Sequence, residues 1–185
     1  MNPEKLQEIQ ELIEGCKRND SKSQRAVFFA FSESLYATCL RYVGDEDAAK
    51  DVLQESFISI FKYIKTYDDS KGSFLNWLRK ICIHQSLKYI KSRYTIVDFY
   101  EQNPVDVVNT EPGPEEMLVI QELFDQIIKL PEPYRTVFNL YEIEGYSHNE
   151  IAELLQIKTG SSRSILSRAK KILLNYYTQF QLKST

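Results

Sequence analysis

Five side chains near the carboxyl end of the chain have the types and spacing needed to contact DNA. They recur at helical spacing along GSSRSILSRAKKIL and are Arg163, Ser164, Ser167, Arg168 and Lys171. Arginine and lysine bind phosphates and guanine edges, and serine bonds to phosphate or to any of several bases. Leu166, Ala169 and Leu173 lie on another side, as a buried seam would. We predict a basic recognition helix, with an ordinary helical hairpin that has a solvated basic face as the alternative interpretation.

The residues before this helix complete a predicted helix-turn-helix, which lays its second helix in the major groove of duplex DNA. Ser147 and Glu150 have the spacing of a capping box, in which each side chain bonds to the other residue's backbone N–H. A short apolar side follows, supplied by Ile151, Ala152, Leu154 and Leu155. Residues 156–159 can form the turn, where Gly160 would permit a close approach between backbones.

The net charge of −3 conceals two basic blocks separated by an acidic one. Residues 71–93 carry +6 and residues 158–171 carry +5, whereas residues 95–126 carry −8. The local field decides where a polyanion docks, so the overall acidity is no objection to DNA binding. The distribution predicts two separate phosphate-facing surfaces.

The hydrophobic pattern predicts an all-α chain of two small helical domains joined by a flexible linker. The N-terminal domain covers residues 1–94, with helices over about 3–15, up to Val43, from Asp45 to about Lys65, and over 74–93. Residues 95–114 contain three prolines among scattered acids and read as the linker. Helix resumes at Glu115, and the C-terminal domain covers residues 115–185.

Composition indicates a cytoplasmic protein without membrane insertion. No stretch approaches the roughly 20 apolar residues that span a bilayer, and the start lacks the apolar core of a secretory signal. Cys16, Cys39 and Cys82 have no metal-ligand spacing and sit in apolar contexts, which favours buried thiols in a reducing compartment. No glycine-rich phosphate loop or paired-carboxylate pattern is present, so we expect a non-enzyme without metal or cofactor.

Two faces in the N-terminal domain carry more polar residues than packing requires. On the third helix, Asp47, Asp51, Gln54 and Glu55 form an acidic face, for which charge alone favours simple solvation. On the fourth helix, the basic face consists of Lys80, His84, Lys88 and Lys91. Phe74 and Leu78 are expected in the core, whereas Tyr67 in the preceding loop is a candidate for stacking on a base. Basic residues beside aromatics are typical of single-strand binding.

Three stretches in the same order resemble the extracytoplasmic-function (ECF) sigma factors, the smallest members of the bacterial sigma-70 family. They are DEDAAKDVLQESFISIFKYI, GSFLNWLRKICIHQSLKYIKSR, and the helix-turn-helix from LPEPYRTVF to SRAKKIL. The resemblance covers roughly residues 20–178. It implies an RNA polymerase sigma factor that directs promoter recognition, promoter melting and transcription initiation.

The resemblance also implies a partner for each face. The acidic face, with its Asp51, Gln54 and Glu55 element, would bind core RNA polymerase. Tyr67, the loop at residues 68–73 and the basic face would capture the melted minus-ten element. The recognition helix would read the minus-thirty-five duplex, and an anti-sigma factor would mask both domains.

Three residues depart from the family pattern, and two other functions stay open. His84 stands where asparagine is common, Ile165 where a basic or polar residue is common, and Lys158 replaces a capping serine, leaving Thr159 as the next cap. These departures bear on which promoter is read. A helix-turn-helix regulator with an N-terminal sensor or interaction domain would need no polymerase, and a helical interaction module would show no salt-dependent affinity for promoter DNA.

Overall fold

The computed structural model describes residues 3–93 and 118–183, and these residues form helices and turns with no β-strand. The chain divides into two compact units, Met1–Leu40 with Asp45–Tyr89, and Arg41–Gly44 with Ile90–Thr185. The all-α prediction is therefore confirmed for the described residues. The predicted linker at residues 95–114 and the predicted helix start at Glu115 lie outside them.

Four long helices form the N-terminal part of the chain. They are α1 (Pro3–Lys17), α2 (Ser21–Val43), α3 (Glu46–Tyr63) and α4 (Phe74–Arg93). Two short 3-10 turns, Ile64–Thr66 and Asp69–Lys71, connect α3 to α4. The four helices predicted from the sequence are confirmed, with α1 extending to Lys17 and α3 ending at Tyr63.

Local polar groups determine where these helices begin. The Asp45 side chain accepts a hydrogen bond from the Ala48 N–H at 2.9 Å, which caps α3 at the position where the sequence predicted the helix to start. Glu46 and Asp47 lie in the first turn, where the helix dipole favours negative charge. Gly44 has a φ of +77°, so the chain turns there through a left-handed conformation that a glycine adopts at little cost.

The interior of the N-terminal unit consists of side chains from α2, α3 and α4. Its fully inaccessible members include Leu35, Cys39, Ala49, Ile60, Leu78 and Cys82. All three cysteines of the chain are buried and free, which confirms the prediction of buried thiols. The Cys39 and Cys82 thiols interact with each other, so α2 and α4 meet at that point.

The described residues of the C-terminal unit contain four further helices. They are α5 (Leu118–Lys129), α6 (Glu132–Phe138), α7 (His148–Leu155) and α8 (Thr159–Lys183), with a π-helical turn at Asn139–Ile143 after α6. α8 packs against α5, α6 and α7. The core residues at this contact are Leu130, Val137, Leu140, Ile151, Ile165 and Ala169.

The capping box predicted at the start of α7 is present in both directions. The Ser147 N–H donates to Glu150 Oε2 at 2.8 Å, and the Glu150 N–H donates to Ser147 Oγ at 3.3 Å. Hydrogen bonding from the side chain and the backbone N–H of Ser147 favours the carboxylate and lowers the pKa of Glu150. The start of the helix-turn-helix is therefore fixed by residues that the sequence identified.

The turn between α7 and α8 differs from the prediction in one respect. Gln156 takes the left-handed conformation, with φ 58° and ψ 42°, and ends α7. Gly160 lies inside α8, and a Cβ built on it would meet no atom within 4 Å. The predicted role of Gly160 in a close backbone approach is wrong, because no other atom lies close to it. The left-handed backbone conformation of the turn is adopted by Gln156 instead.

Replacing the capping serine tests how much this local structure contributes. We expect Ser147→Ala to lower the free energy of unfolding by about 1 kcal/mol, because the Glu150 N–H at the start of α7 loses its partner, the Ser147 hydroxyl. Urea denaturation followed by circular dichroism measures the change. Gly160→Ala is the matched control. It should leave the stability unchanged or raise it, since the new methyl group meets nothing. Equal destabilisation by both would contradict a specific role for the cap.

Candidate polymerase and promoter interfaces

The acidic face of α3 lies on the outside of the N-terminal unit. Asp47, Asp51, Gln54 and Glu55 are all exposed, while Val52, Phe57 and Ile60 on the same helix are buried. Asp47 accepts a hydrogen bond from Lys50 at 2.8 Å, and this bond lowers the pKa of Asp47. Ile58 extends the face by one turn and is 55% exposed. An acidic strip that ends in an accessible apolar residue suits a protein partner with basic and apolar side chains.

The basic face of α4 is equally accessible. Lys80, His84, Lys88 and Lys91 are exposed, whereas Phe74 and Leu78 are buried, as the sequence predicted for both groups. Successive members are three or four residues apart, so their side chains follow one side of the helix for about three turns. Such a track can neutralise several consecutive phosphates of a nucleic-acid strand.

Tyr67 belongs to an aromatic cluster at the start of α4. Its ring centroid lies 5.1 Å from that of Phe74 and 5.7 Å from that of Trp77, and its hydroxyl donates to the Gly72 carbonyl at 3.2 Å. The side chain is half-buried. Tyr67 therefore braces the loop between α3 and α4 and presents only part of its ring to solvent.

Hydrogen bonds between residues close in the sequence order the rest of this loop. Asp68 Oδ1 accepts from the Ser70 N–H at 3.1 Å and from Ser70 Oγ at 2.7 Å, and these bonds lower the pKa of Asp68. The Ser73 hydroxyl accepts from the Asn76 N–H at 3.3 Å, at the beginning of α4. The loop is thus ordered by its own side chains and its neighbouring aromatics.

The recognition helix α8 places its predicted contact residues at the surface. Arg163 and Ser167 are exposed, and Ser164, Arg168 and Lys171 are partly exposed. Within the described part of the chain, no ion pair engages Arg163, Arg168 or Lys171. Lys170 differs, because its Nζ lies 2.7 Å from a carboxylate oxygen of Glu142. One of the five cations counted in residues 158–171 therefore has a partner within the unit.

Two departures from the family pattern have structural explanations. Ile165 is fully buried, so it serves the core of the C-terminal unit and leaves no side chain at that position to contact a base. Thr159 is the first residue of α8, and its hydroxyl donates to Asn149 Oδ1 at 3.3 Å. The expected capping role of Thr159 is wrong, since helical geometry begins at Thr159 itself and Lys158 precedes it.

His148 connects the two helices of the helix-turn-helix, a role that the sequence analysis missed. Its Nδ1 lies 2.9 Å from the buried Ser162 hydroxyl, and its ring stacks on Tyr141 at 4.4 Å between centroids. Burial and the positive charges of Arg163 and Lys170 lower the pKa of His148 and so favour the neutral imidazole. The sequence offered no usable signal for this contact, because His148 and Ser162 lie 14 residues apart and no local pattern connects them.

The described residues contain no group of three histidine, cysteine, aspartate or glutamate side chains that could hold a metal ion. Over the same residues, no helix is both long enough and apolar enough to cross a membrane.

Comparison with known proteins identifies both units. Residues 28–95 match the model of Sigma-70 region 2, and residues 120–173 match that of Sigma-70, region 4. The chain is 28% identical over 178 residues to the ECF RNA polymerase sigma-E factor of Haemophilus influenzae, covering 90% of this chain and 93% of that protein. The Escherichia coli ECF RNA polymerase sigma-E factor is 26% identical over 178 residues, covering 90% and 92%.

A similar solved structure is the sigma factor RpoE from Bartonella quintana, crystallised with the anti-sigma factor NepR. The likeness has a TM-score of 0.49 at 18% identity and covers 82% of this chain and 94% of that one.

The two matched regions and the sigma-E relatives show that the chain belongs to the sigma-70 family, as an ECF sigma factor. Its function is to act with RNA polymerase in transcription initiation, as the sequence analysis predicted.

The burial of Ile165 leads to a prediction that separates folding from DNA reading. We expect Ile165→Arg to destabilise the C-terminal unit by more than about 3 kcal/mol, because the new charge would be buried without a partner. Thermal unfolding measured by circular dichroism tests this. Ser167→Arg is the control, since position 167 is exposed and should accept arginine with little change in stability. A stable Ile165→Arg protein with higher promoter affinity would place residue 165 in the groove instead.

Proposed function

We propose that this sigma factor divides its work between two domains, residues 1–94 and 115–185, joined by residues 95–114. The first binds core RNA polymerase and the melted minus-ten element, and the second binds the minus-thirty-five duplex. The proposal is based on one observation: every assigned side chain is accessible to solvent, whereas the apolar residues of the same helices are buried. The chain acts by binding alone, without catalysis, in the cytoplasm where polymerase and promoters are found.

The acidic face is the proposed polymerase interface. Asp51, Gln54 and Glu55 form its centre, with Asp47 at one end and the exposed Ile58 at the other. A row of carboxylates steers association with a basic partner, and an accessible apolar residue adds buried area once contact is made. The family resemblance assigns Asp51, Gln54 and Glu55 to the largest subunit of core polymerase, which supports the proposal.

Promoter melting follows from a difference in affinity. A protein shifts the equilibrium between duplex and open DNA only as far as it binds the open form more tightly. Unstacking a base costs a few kcal/mol, and stacking on protein recovers roughly 1–3 kcal/mol per base. We assign the backbone contacts to Lys80, His84, Lys88 and Lys91, and the base contacts to Tyr67 and the loop at residues 68–73.

The recognition helix supplies duplex binding. Arg163 and Ser167 are the most accessible of its polar residues, with Ser164, Arg168 and Lys171 beside them. We assign this set to the bases and phosphates of the minus-thirty-five element. Because Ile165 is buried, the readout uses the residues on either side of it. An anti-sigma factor that covers these surfaces is the regulator we propose, in keeping with the family.

Transcription in a purified system tests the function as a whole. The chain and core polymerase together should yield run-off transcripts from a subset of promoter fragments of the host genome, and core polymerase alone should not. Alignment of the active fragments would give two conserved elements separated by a fixed spacing. Absence of specific transcripts from every fragment would reject the proposed function.

Charge reversal on the acidic face should disrupt polymerase binding without disturbing the fold. We expect Asp51→Arg to weaken binding to core polymerase by at least about a hundredfold, because a like-charge contact at an interface costs several kcal/mol. Fluorescence anisotropy of labelled chain titrated with core polymerase measures the affinity. Glu33→Arg, an equal charge reversal at an exposed position on α2, should bind as the unmodified chain does. Tight binding by Asp51→Arg would reject the interface.

Loss of one cation from α8 should weaken promoter binding. We expect Arg168→Ala to reduce the affinity of polymerase holoenzyme for promoter DNA by about 1–3 kcal/mol if the guanidinium binds a guanine edge. Lys170→Ala is the matched control and should have a smaller effect, because Lys170 is already paired with Glu142. Electrophoretic mobility shift assays at fixed salt compare the two. An unchanged affinity in Arg168→Ala would remove Arg168 from the interface.

A further inference from the structure

Two neighbouring helices of the N-terminal unit carry charged and apolar side chains in a matching order on their outer sides. Exposed residues recur every three or four positions along α2 and so form one row, which consists of Lys22, Arg25, Phe29 and Glu33. The corresponding exposed row on α3 consists of Asp51, Glu55, Ile58 and Lys62. Each row has an apolar residue near its middle, with cations on one side of it and carboxylates on the other. We call the two rows together the hairpin face.

The two rows have the same direction of charge, although their residues follow opposite orders along the chain. Only Gly44 and Asp45 separate α2 from α3, and helices joined by so short a connection run antiparallel. The ring centroids of Phe28 and Phe57 lie 4.7 Å apart, so the residues around Phe28 are level with those around Phe57. The cations of both rows therefore lie at one end of the hairpin face, and the carboxylates lie at the other end.

An apolar band crosses the middle of the hairpin face. The Phe28 ring lies 5.7 Å from that of Phe29, and the Phe57 ring lies 5.9 Å from that of Phe61. Phe29 is 66% exposed and Ile58 is 55% exposed, which makes them the most accessible large apolar side chains of the described residues. A contiguous apolar surface that is left accessible and bordered by charges is typical of a protein-binding site.

The charges at both ends of the hairpin face are available to a partner. Within the described part of the chain, no ion pair engages the cations Lys22, Arg25 and Lys62 or the carboxylates Glu33, Asp51 and Glu55. Arg25 lies over the exposed ring of Phe29, at 5.4 Å from its centroid. A complementary partner has carboxylates opposite the cationic end, cations opposite the carboxylate end, and apolar side chains between them.

A second copy of the chain meets all three requirements. Both copies use the same surface in a symmetric dimer, so that surface has to be complementary to itself. A two-fold axis that crosses the helices brings α2 against α2 and α3 against α3, each pair antiparallel. Arg25 and Glu33 lie four residues before and four residues after Phe29, so Arg25 of each copy comes opposite Glu33 of the other. Glu55 and Lys62 flank Ile58 on α3 and meet in the same way.

We propose that the hairpin face is a self-association surface through which two copies of the chain form an antiparallel dimer. The dimer covers Asp51 and Glu55, which belong to the proposed polymerase interface, so a chain in the dimer cannot bind core polymerase. Self-association thereby keeps surplus chain inactive until core polymerase is free. This regulatory consequence rests on the proposed function, whereas the dimer itself does not depend on it.

The size of the hairpin face determines how strong the dimer is. Each row covers eleven residue steps, or about 16 Å of helix, and two adjacent helices are about 20 Å wide. An interface of these dimensions is smaller than that of a standard stable complex and falls among transient ones. We therefore expect reversible association in the micromolar range. Salt should weaken it, because the charges at both ends are exposed.

Sedimentation velocity of the complete chain over the micromolar range tests the dimer. The unmodified chain should show a reversible equilibrium between monomer and dimer. Arg25→Glu and Glu33→Arg should each weaken association by at least about tenfold, because like charges then lie opposite each other. An equimolar mixture of the two variants should associate to within about threefold of the unmodified chain, because opposite charges meet again at both ends of the mixed dimer.

A charge reversal away from the hairpin face is the matched control. Glu153→Arg changes the charge equally at an exposed position of the C-terminal unit and should leave the equilibrium unchanged. Circular dichroism verifies that each variant is folded. An unmodified chain that stays monomeric at every concentration would overturn the dimer. A mixture of the two α2 variants that associates no better than either variant alone would overturn it as well.

Addition of core polymerase tests the regulatory consequence separately. We expect the dimer to dissociate as complexes with one copy of the chain per polymerase form. A complex that retains two copies joined through the hairpin face would overturn the masking of the polymerase interface. A chain that dimerises but does not bind core polymerase would reject the proposed function, and the self-association surface would stand.

Discussion

Each of α3, α4 and α8 has to bury one apolar side, and this constraint determines which charged side chains reach the surface. α3 buries Phe57 and Ile60, α4 buries Phe74 and Leu78, and α8 buries Ala169. Residues four apart share a face of a helix, so the charged residues between these positions are directed outward as continuous strips. Rotating any of these helices to change its surface would place ions in the core, which is far costlier than any gain at an interface.

The orientation of the recognition helix depends on a small number of polar contacts around that core. The capping box of Ser147 and Glu150 fixes the start of α7, and the left-handed Gln156 fixes its end. The contact between His148 and Ser162 then joins α7 to α8. Because these groups lie on different elements, their combined effect is to hold α8 at one angle, as a helix that must match the major groove requires.

Much of this architecture was predictable because it is local. Helix positions follow from the 3.6-residue period, and the caps at Asp45 and Ser147 follow from residue type and spacing alone. Contacts between distant residues were not predictable in the same way. The burial of Ile165, the partner of His148 and the pairing of Lys170 with Glu142 depend on how α8 packs, which no local pattern encodes. Gly160 does not mark the tight backbone of the turn, because Gln156 adopts the left-handed conformation there.

The pairing of Lys170 with Glu142 gives the C-terminal unit an internal counterion. A protein that neutralises phosphates liberates condensed sodium or potassium from DNA, and the logarithm of its affinity falls by about 0.9 per contact for each tenfold rise in salt. Lys170 liberates none of these ions as long as it remains in its ion pair with Glu142. The affinity of this unit for duplex DNA is therefore less sensitive to ionic strength than the net charge of +5 over residues 158–171 implies. A rise in salt concentration weakens that binding correspondingly less.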